Sequence, residues 1–146
     1  MKLELKNIKH TAWASEETHC YQASLYVDGK PVATVSNDGH GGADRYYDHP
    51  KCVYSGRSAW CDKMQEVHEY FKSLPNTHSL EFWCADQVND WLSARELKKN
   101  LKKSYVYHFA DGAGMFAHKL RPASTVAVVL NDMPFADALA IWKETA

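Results

Sequence analysis

The residues best equipped for chemistry gather in Val35-Ser36-Asn37-Asp38-Gly39-His40-Gly41-Gly42 and in the Ala43-Asp44-Arg45-Tyr46-Tyr47 that follows. Three of the seven glycines fall within four residues there. A His-Gly-Gly loop can turn backbone N–H groups toward a developing oxyanion, as acyl-transfer enzymes require. Such enzymes also need a nucleophile on a strand-to-helix elbow, and the chain contains no G-x-S-x-G. Two uses of the loop stay open. It is a tight turn made possible by glycine, or it is a binding loop for a protein or a small anion, held by successive backbone N–H groups. Asp38, His40 and Asp44 have the types of a base with its orienting acid. Glu66, His68 and Glu69 offer a second carboxylate pair, three residues apart.

Metal chemistry is poorly supplied. His40, Asp44, His49, Cys52 and Cys61 include a loose His49-x2-Cys52 pair. Zinc is usually held by two close pairs of nitrogen or sulfur ligands, and no C-x2-C or H-E-x-x-H occurs. No metal and no cofactor are expected.

Two further sets suit binding. Tyr46, Tyr47 and Tyr54 lie close in sequence to Arg45 and Arg57, and tyrosine and arginine are the types that dominate contact hot spots. Arg95, Lys98, Lys99, Lys102 and Lys103 recur at helical spacing, with Leu97 and Leu101 turned elsewhere. That stripe could neutralise phosphates, with Tyr105 and Tyr107 as stacking rings. It reads equally as the solvated side of an amphipathic helix, whose end favours cations.

The elements that must position these residues follow from periodicity. Residues 2–13 alternate up to a phase break near Asn7, which predicts a strand with a bulge. Cys20 to Val27 alternates again, Asp28-Gly29 is a strong hairpin signal, and Val32 to Ser36 returns. This three-stranded antiparallel meander delivers the glycine loop at its end. Residues 37–57 read as irregular. Ser58 to Leu74 places Trp60, Met64, Val67, Phe71 and Leu74 at helical spacing, and Pro75-Asn76 closes that helix. Leu80 to Cys84 is a short apolar stretch, a strand or a buried connection. Asp86 to Leu92 starts another helix, and Ser93-Ala94-Arg95-Glu96 has capping-box form, which predicts a break at Ser93 and a further helix. Tyr105 to Phe109 alternates as a strand, Asp111-Gly112-Ala113-Gly114 turns, Met115 to Leu120 returns, and Thr125 to Leu130 is a last strand. Pro134 suits the first turn of a final helix, with Phe135, Ala138, Leu139 and Trp142 on its apolar face. The fold class is therefore α+β, with strands, two or three central helices, further strands and a final helix.

The 146 residues are expected to form a single domain, 1–146. A chain of that length buries roughly two-thirds of its unfolded surface without metal or disulfide. A formal net charge of −1 supplies no global field to gather nucleic acid or an anionic membrane. No apolar run approaches the roughly 18 residues of a membrane span. Met1-Lys2-Leu3-Glu4-Leu5-Lys6 alternates rather than forming an apolar signal core. The four cysteines, at 20, 52, 61 and 84, are accordingly expected as reduced thiols in a cytoplasm.

Leu5-Lys6-Asn7-Ile8-Lys9, Ser15-Glu16-Glu17-Thr18, Val27-Asp28-Gly29-Lys30-Pro31-Val32 and Val35 to Gly42, with a weaker echo in Leu130 to Phe135 and Ala138-Leu139, resemble a family of small uncharacterised proteins encoded by phages and prophages. The resemblance covers the first third of the chain and implies a mobile-element, host-cytoplasmic setting. It brings no catalytic residue with it. Small phage accessory proteins often bind and redirect a host or defence protein. The reading is thus a binding protein rather than an enzyme, with Asn37, Asp38, His40, Arg45, Tyr46, Tyr47, Tyr54 and Arg57 as its surface and a host or defence protein as its partner. The alternatives are a small-ligand or nucleotide-binding protein or weak enzyme using the glycine loop, and nucleic-acid binding through the Arg95–Lys103 face.

Overall fold

A computed structural model describes residues 1–54, 56–75, 79–110, 114–123 and 127–145. The chain divides into two compact units, Met1–Val88 and Asn89–Ala146. Together they give an α+β chain.

The first unit opens with strands β1 (Leu3–His10), β2 (Cys20–Val27), β3 (Lys30–Asp38) and β4 (Arg45–Asp48), in sheet order β1-β2-β3-β4. All the pairings are antiparallel. The phase break in β1 is real: Asn7 takes φ 55°, and the register with β2 shifts between Lys6 and Lys9. The β2–β3 hairpin turns on Asp28 and Gly29, with φ of 50° and 81°. Positive φ at both central residues lets the turn follow the right-handed twist of its strands. Alternation then fixes the buried face. Tyr21, Ala23, Leu25 and Val27 of β2 are buried, as are Ala33, Val35 and Asn37 of β3. Opposed residues share a face, so Tyr21 meets Asn37 and Ala23 meets Val35 on that side.

Strand β4 corrects the expectation of irregular chain over 37–57. Tyr46 pairs with Val35 and Tyr47 with Thr34. The neighbouring glycines and Pro50 mask a four-residue edge strand that the tyrosines favour and the pairing with β3 secures. Between β1 and β2, residues Ala12–Ala14 form a 3-10 turn.

Helix α1 spans Arg57–Lys72 and buries Met64, Val67 and Phe71. The Trp60 indole donates to the Val32 carbonyl at 3.0 Å, and His68 meets the Tyr46 ring edge-on, centroids 6.1 Å apart. Pro75 follows this helix; Asn76 lies outside the described residues.

Helix α2 runs unbroken over Leu80–Lys103, which overturns two expectations. Leu80 to Cys84 is its first turn, started by Ser79, whose hydroxyl accepts the Phe82 N–H at 3.3 Å. Leu80, Cys84 and Val88, four residues apart, are all buried. The capping-box pattern at Ser93 does not stop the helix. Neither Gly nor Pro interrupts the run, so the intrahelical ladder continues past a residue that only favours an end locally.

The second unit holds the rest of α2, then β5 (Tyr105–Phe109), β6 (Phe116–His118), β7 (Ala127–Val129) and α3 (Phe135–Thr145). The sheet order is β6-β5-β7, antiparallel throughout. The turn expected at 111–113 and the start of the strand expected from Thr125 lie outside the described residues. Leu97, Val106, Leu130 and Ala138 form the core, with Leu101, Phe135, Leu139 and Trp142 packed against it. Asn131 ties helix to sheet. Its Oδ1 accepts the Val106 N–H at 2.8 Å, and its Nδ2 donates to the Ser104 carbonyl at 3.0 Å.

Candidate functional site

The glycine loop begins where β3 leaves its partner. Gly39 is buried and left-handed, at φ +85°. Its carbonyl accepts the N–H groups of Glu16, Glu17 and Thr18 at 3.1, 2.9 and 3.4 Å. A Cβ at Gly39 would stand 2.0 Å from the Ala14 carbonyl oxygen. Glycine is required here because the backbone of the 11–18 segment lies against the loop. The turn reading of the loop thus has a concrete form: it clasps the β1–β2 connection.

Asn37 secures the clasp from the buried face, at 7% exposure. Its Oδ1 accepts from the Thr18 hydroxyl at 2.7 Å and from the Gly39 N–H at 2.9 Å. Its Nδ2 donates to Asp44 Oδ1 at 3.0 Å and to the Gly42 carbonyl at 3.3 Å. Four bonds saturate this amide. The N–H groups of Gly39 and His40 face the side-chain oxygens of Asn37 and Asp38.

Asp44 is the chemically distinctive group. Tyr21 donates to its Oδ2 at 2.7 Å, and its own N–H donates to Glu81 Oε1 at 2.9 Å. Burial raises the Asp44 carboxyl above the usual range against the opposing effect of these donors, and the nearby Glu81 charge adds to the rise. The Tyr21 phenol is raised as well, by burial first. Cys84, fully buried beneath them, is pushed up to about 12, by burial and then by the Asp44 charge. Thr18, Tyr21, Asn37, Asp44, Glu81 and Phe82 are among the residues around a cavity of about 210 Å³. Sequence reasoning placed Asp44 near the loop but missed Tyr21, Glu81 and Cys84. Only the helical start at Ser79 brings the last two there.

The other expected surface residues divide between two places. Asp38 and Arg45 pair at 3.3 Å and His40 Nδ1 meets Glu16 at 3.3 Å, all exposed. Tyr46, Tyr47 and Arg57 instead come together, with Asp48 and Trp60, around a concavity of about 390 Å³ beside the β4 edge. Tyr47 is 55% exposed. The Tyr46 hydroxyl is buried, with the Cys84 thiol as its neighbour. Tyr54 lies outside this concavity, under Lys63 Nζ at 5.3 Å.

The metal candidates are dispersed. His49 meets Ser24 Oγ at 3.3 Å and accepts the Lys51 N–H at 3.0 Å. The Cys52 thiol faces the Tyr54 carbonyl, and Cys61 is exposed. Among the described residues no three of His, Cys, Asp and Glu are grouped to hold a metal ion. No helix among them is long and apolar enough to cross a membrane.

In the second unit, Arg95, Lys98, Lys99 and Lys102 share one shallow concavity with Trp91 and Ala94; Lys103 lies outside it. Tyr105 and Tyr107 are engaged elsewhere. Arg121 covers Tyr105 at 4.9 Å, and Tyr107 stacks on Phe116 at 5.7 Å.

Compared with known proteins, the chain matches no family model, and no curated protein or solved structure shows significant similarity to it.

Proposed function

We propose that this protein acts by binding another protein, and that the concavity beside β4 and the start of α1 is the contact. One observation carries this reading: Tyr46, Tyr47, Arg57 and Trp60 line a single cavity of about 390 Å³. Trp, Tyr and Arg are the residues on which binding energy concentrates, and a concave, partly desolvated setting is where they act. The edge position of β4 adds an open row of backbone groups for a partner to meet. The resemblance to phage proteins makes a host or defence protein, met in the host cytoplasm, the partner class of choice.

The test uses the double variant Tyr47→Ala/Arg57→Ala. Both residues are exposed, so folding stability should change by no more than about 1 kcal/mol. Wild-type protein used as bait should enrich a partner, with purified components then binding directly. The variant should bind at least tenfold more weakly. Equal binding by the folded variant refutes the site.

A second reading has its own support in the half-buried Asp44 carboxyl at the 210 Å³ cavity. It is a small ligand that donates hydrogen bonds or carries positive charge. A thermal-shift screen separates it from the first, since a ligand at 100 times its Kd stabilises the native state by about 2.7 kcal/mol.

A further inference from the structure

We infer that the second unit binds single-stranded nucleic acid along the α2 face formed by Trp91, Arg95, Lys98, Lys99 and Lys102. This goes beyond the protein contact proposed for the first unit and uses none of its residues. Positions 91, 95, 98 and 102 advance by four, three and four, which sets them in one row along the helix. They occupy roughly 16 Å of its length. All four cations are exposed, and with Trp91 and Ala94 they line one open concavity of about 410 Å³.

None of the four is in an ion pair with a described residue. Asp90 and Asp132 of the same unit are taken by Lys143 and by a bidentate Arg121. Glu96 is set off from Arg95, Lys98 and Lys102 by its spacing and neighbours only Lys99, with which it forms no ion pair. Like charges three and four residues apart repel. The row therefore costs the isolated helix stability, and a polyanion would turn that cost into binding. Two of the cations are also held in place by rings. The Arg95 guanidinium lies 5.3 Å from the Trp91 ring and Lys98 Nζ lies 5.2 Å from the Phe135 ring. Such contacts fix a cation without neutralising it.

Trp91 decides between single strand and duplex. Charge alone would serve either, because phosphates carry no information on strandedness. The Trp91 indole capped by the Arg95 guanidinium at 5.3 Å adds a planar stacking platform to the concavity, and only an unpaired base has a free face to lay on it. Nucleic acid rather than an acidic protein segment is favoured for the same reason. Carboxylate side chains would use the lysines and leave the indole idle.

The experiment titrates the full chain against a fluorescein-labelled 20-mer of dT, following anisotropy, at several salt concentrations. Four phosphate contacts predict a log–log salt slope near −2.8, or about fifty-fold weaker binding at 200 mM than at 50 mM salt. A hairpin duplex of equal charge should bind at least fivefold more weakly. Lys98→Glu/Lys102→Glu should abolish binding. Trp91→Leu should remove the preference for single strand, and Trp91→Phe should keep it, which separates stacking from a mere packing role. Four results would overturn the proposal: no binding at 50 mM salt, equal affinity for duplex, tighter binding of a poly-glutamate competitor, or unchanged binding by a folded Lys98→Glu/Lys102→Glu protein.

Discussion

Gly39→Ala tests the clasp that shapes the glycine loop. The substitution acts in two ways. A left-handed backbone costs an alanine about 1–2 kcal/mol, and this cost applies wherever φ is positive. At Gly39 the new Cβ also meets the Ala14 carbonyl oxygen at 2.0 Å, with Ala14 C and Cys20 Cβ both at 3.0 Å. Two of those three atoms are backbone, so no rotamer change relieves the overlap. The 11–18 segment must move away from a carbonyl that holds three of its N–H groups. Their weakening adds about 1–3 kcal/mol, for a total of about 2–5 kcal/mol. Gly29→Ala is the control. Its φ is +81°, and nothing lies within 4 Å of the added Cβ, so only the conformational cost of about 1–2 kcal/mol applies. Urea titrations of both variants, followed by tryptophan fluorescence and far-UV circular dichroism, give the two losses. The difference between them isolates the close approach. Losses that agree within about 0.5 kcal/mol would refute it, leaving backbone conformation as the sole reason for glycine at position 39.

Three further outcomes follow from the polar cluster. Asp44 has a raised folded-state pKa, so its contribution to stability is fully present below the unfolded carboxylate range and is lost as pH rises through the folded value. The advantage of wild type over Asp44→Asn should therefore shrink from about pH 4 upward; an advantage that grows with pH contradicts burial as the dominant cause. Tyr46→Phe removes a buried hydroxyl whose neighbour is the Cys84 thiol, a weak hydrogen-bonding group, so stability should change by less than about 1 kcal/mol. A larger loss, measured by urea unfolding, would mean the hydroxyl has a stronger partner. Native alkylation followed by mass spectrometry should label exposed Cys61 at least 100-fold faster than Cys84, whose thiol is buried and raised to about 12. Comparable rates at the two sites would contradict the buried placement.

The sequence alone determined the elements whose signals are local. Alternation over Cys20–Val27 and Tyr105–Phe109 matches the strands residue for residue. Asp28-Gly29 specified its hairpin, and the spacing of Met64, Val67 and Phe71 chose the buried side of α1. The basic row on α2 was equally legible, since residues on one helix are related by spacing alone. The tertiary structure decided what depends on pairing between distant segments. β4 exists because β3 offers an open edge, and α2 passes Ser93 because an unbroken ladder outweighs a local capping preference. The glycine loop, which reads as a contact surface, has its inner part committed to the 11–18 segment, Thr18 being 19 residues from Asn37, and its Asp44 meets Glu81, 37 residues on. Tyr46, Tyr47 and Arg57 became neighbours of Trp60 only once α1 lay against the sheet. A clasp, a half-buried carboxyl and an aromatic concavity are properties of surfaces brought together, and no spacing along one strand or helix encodes them.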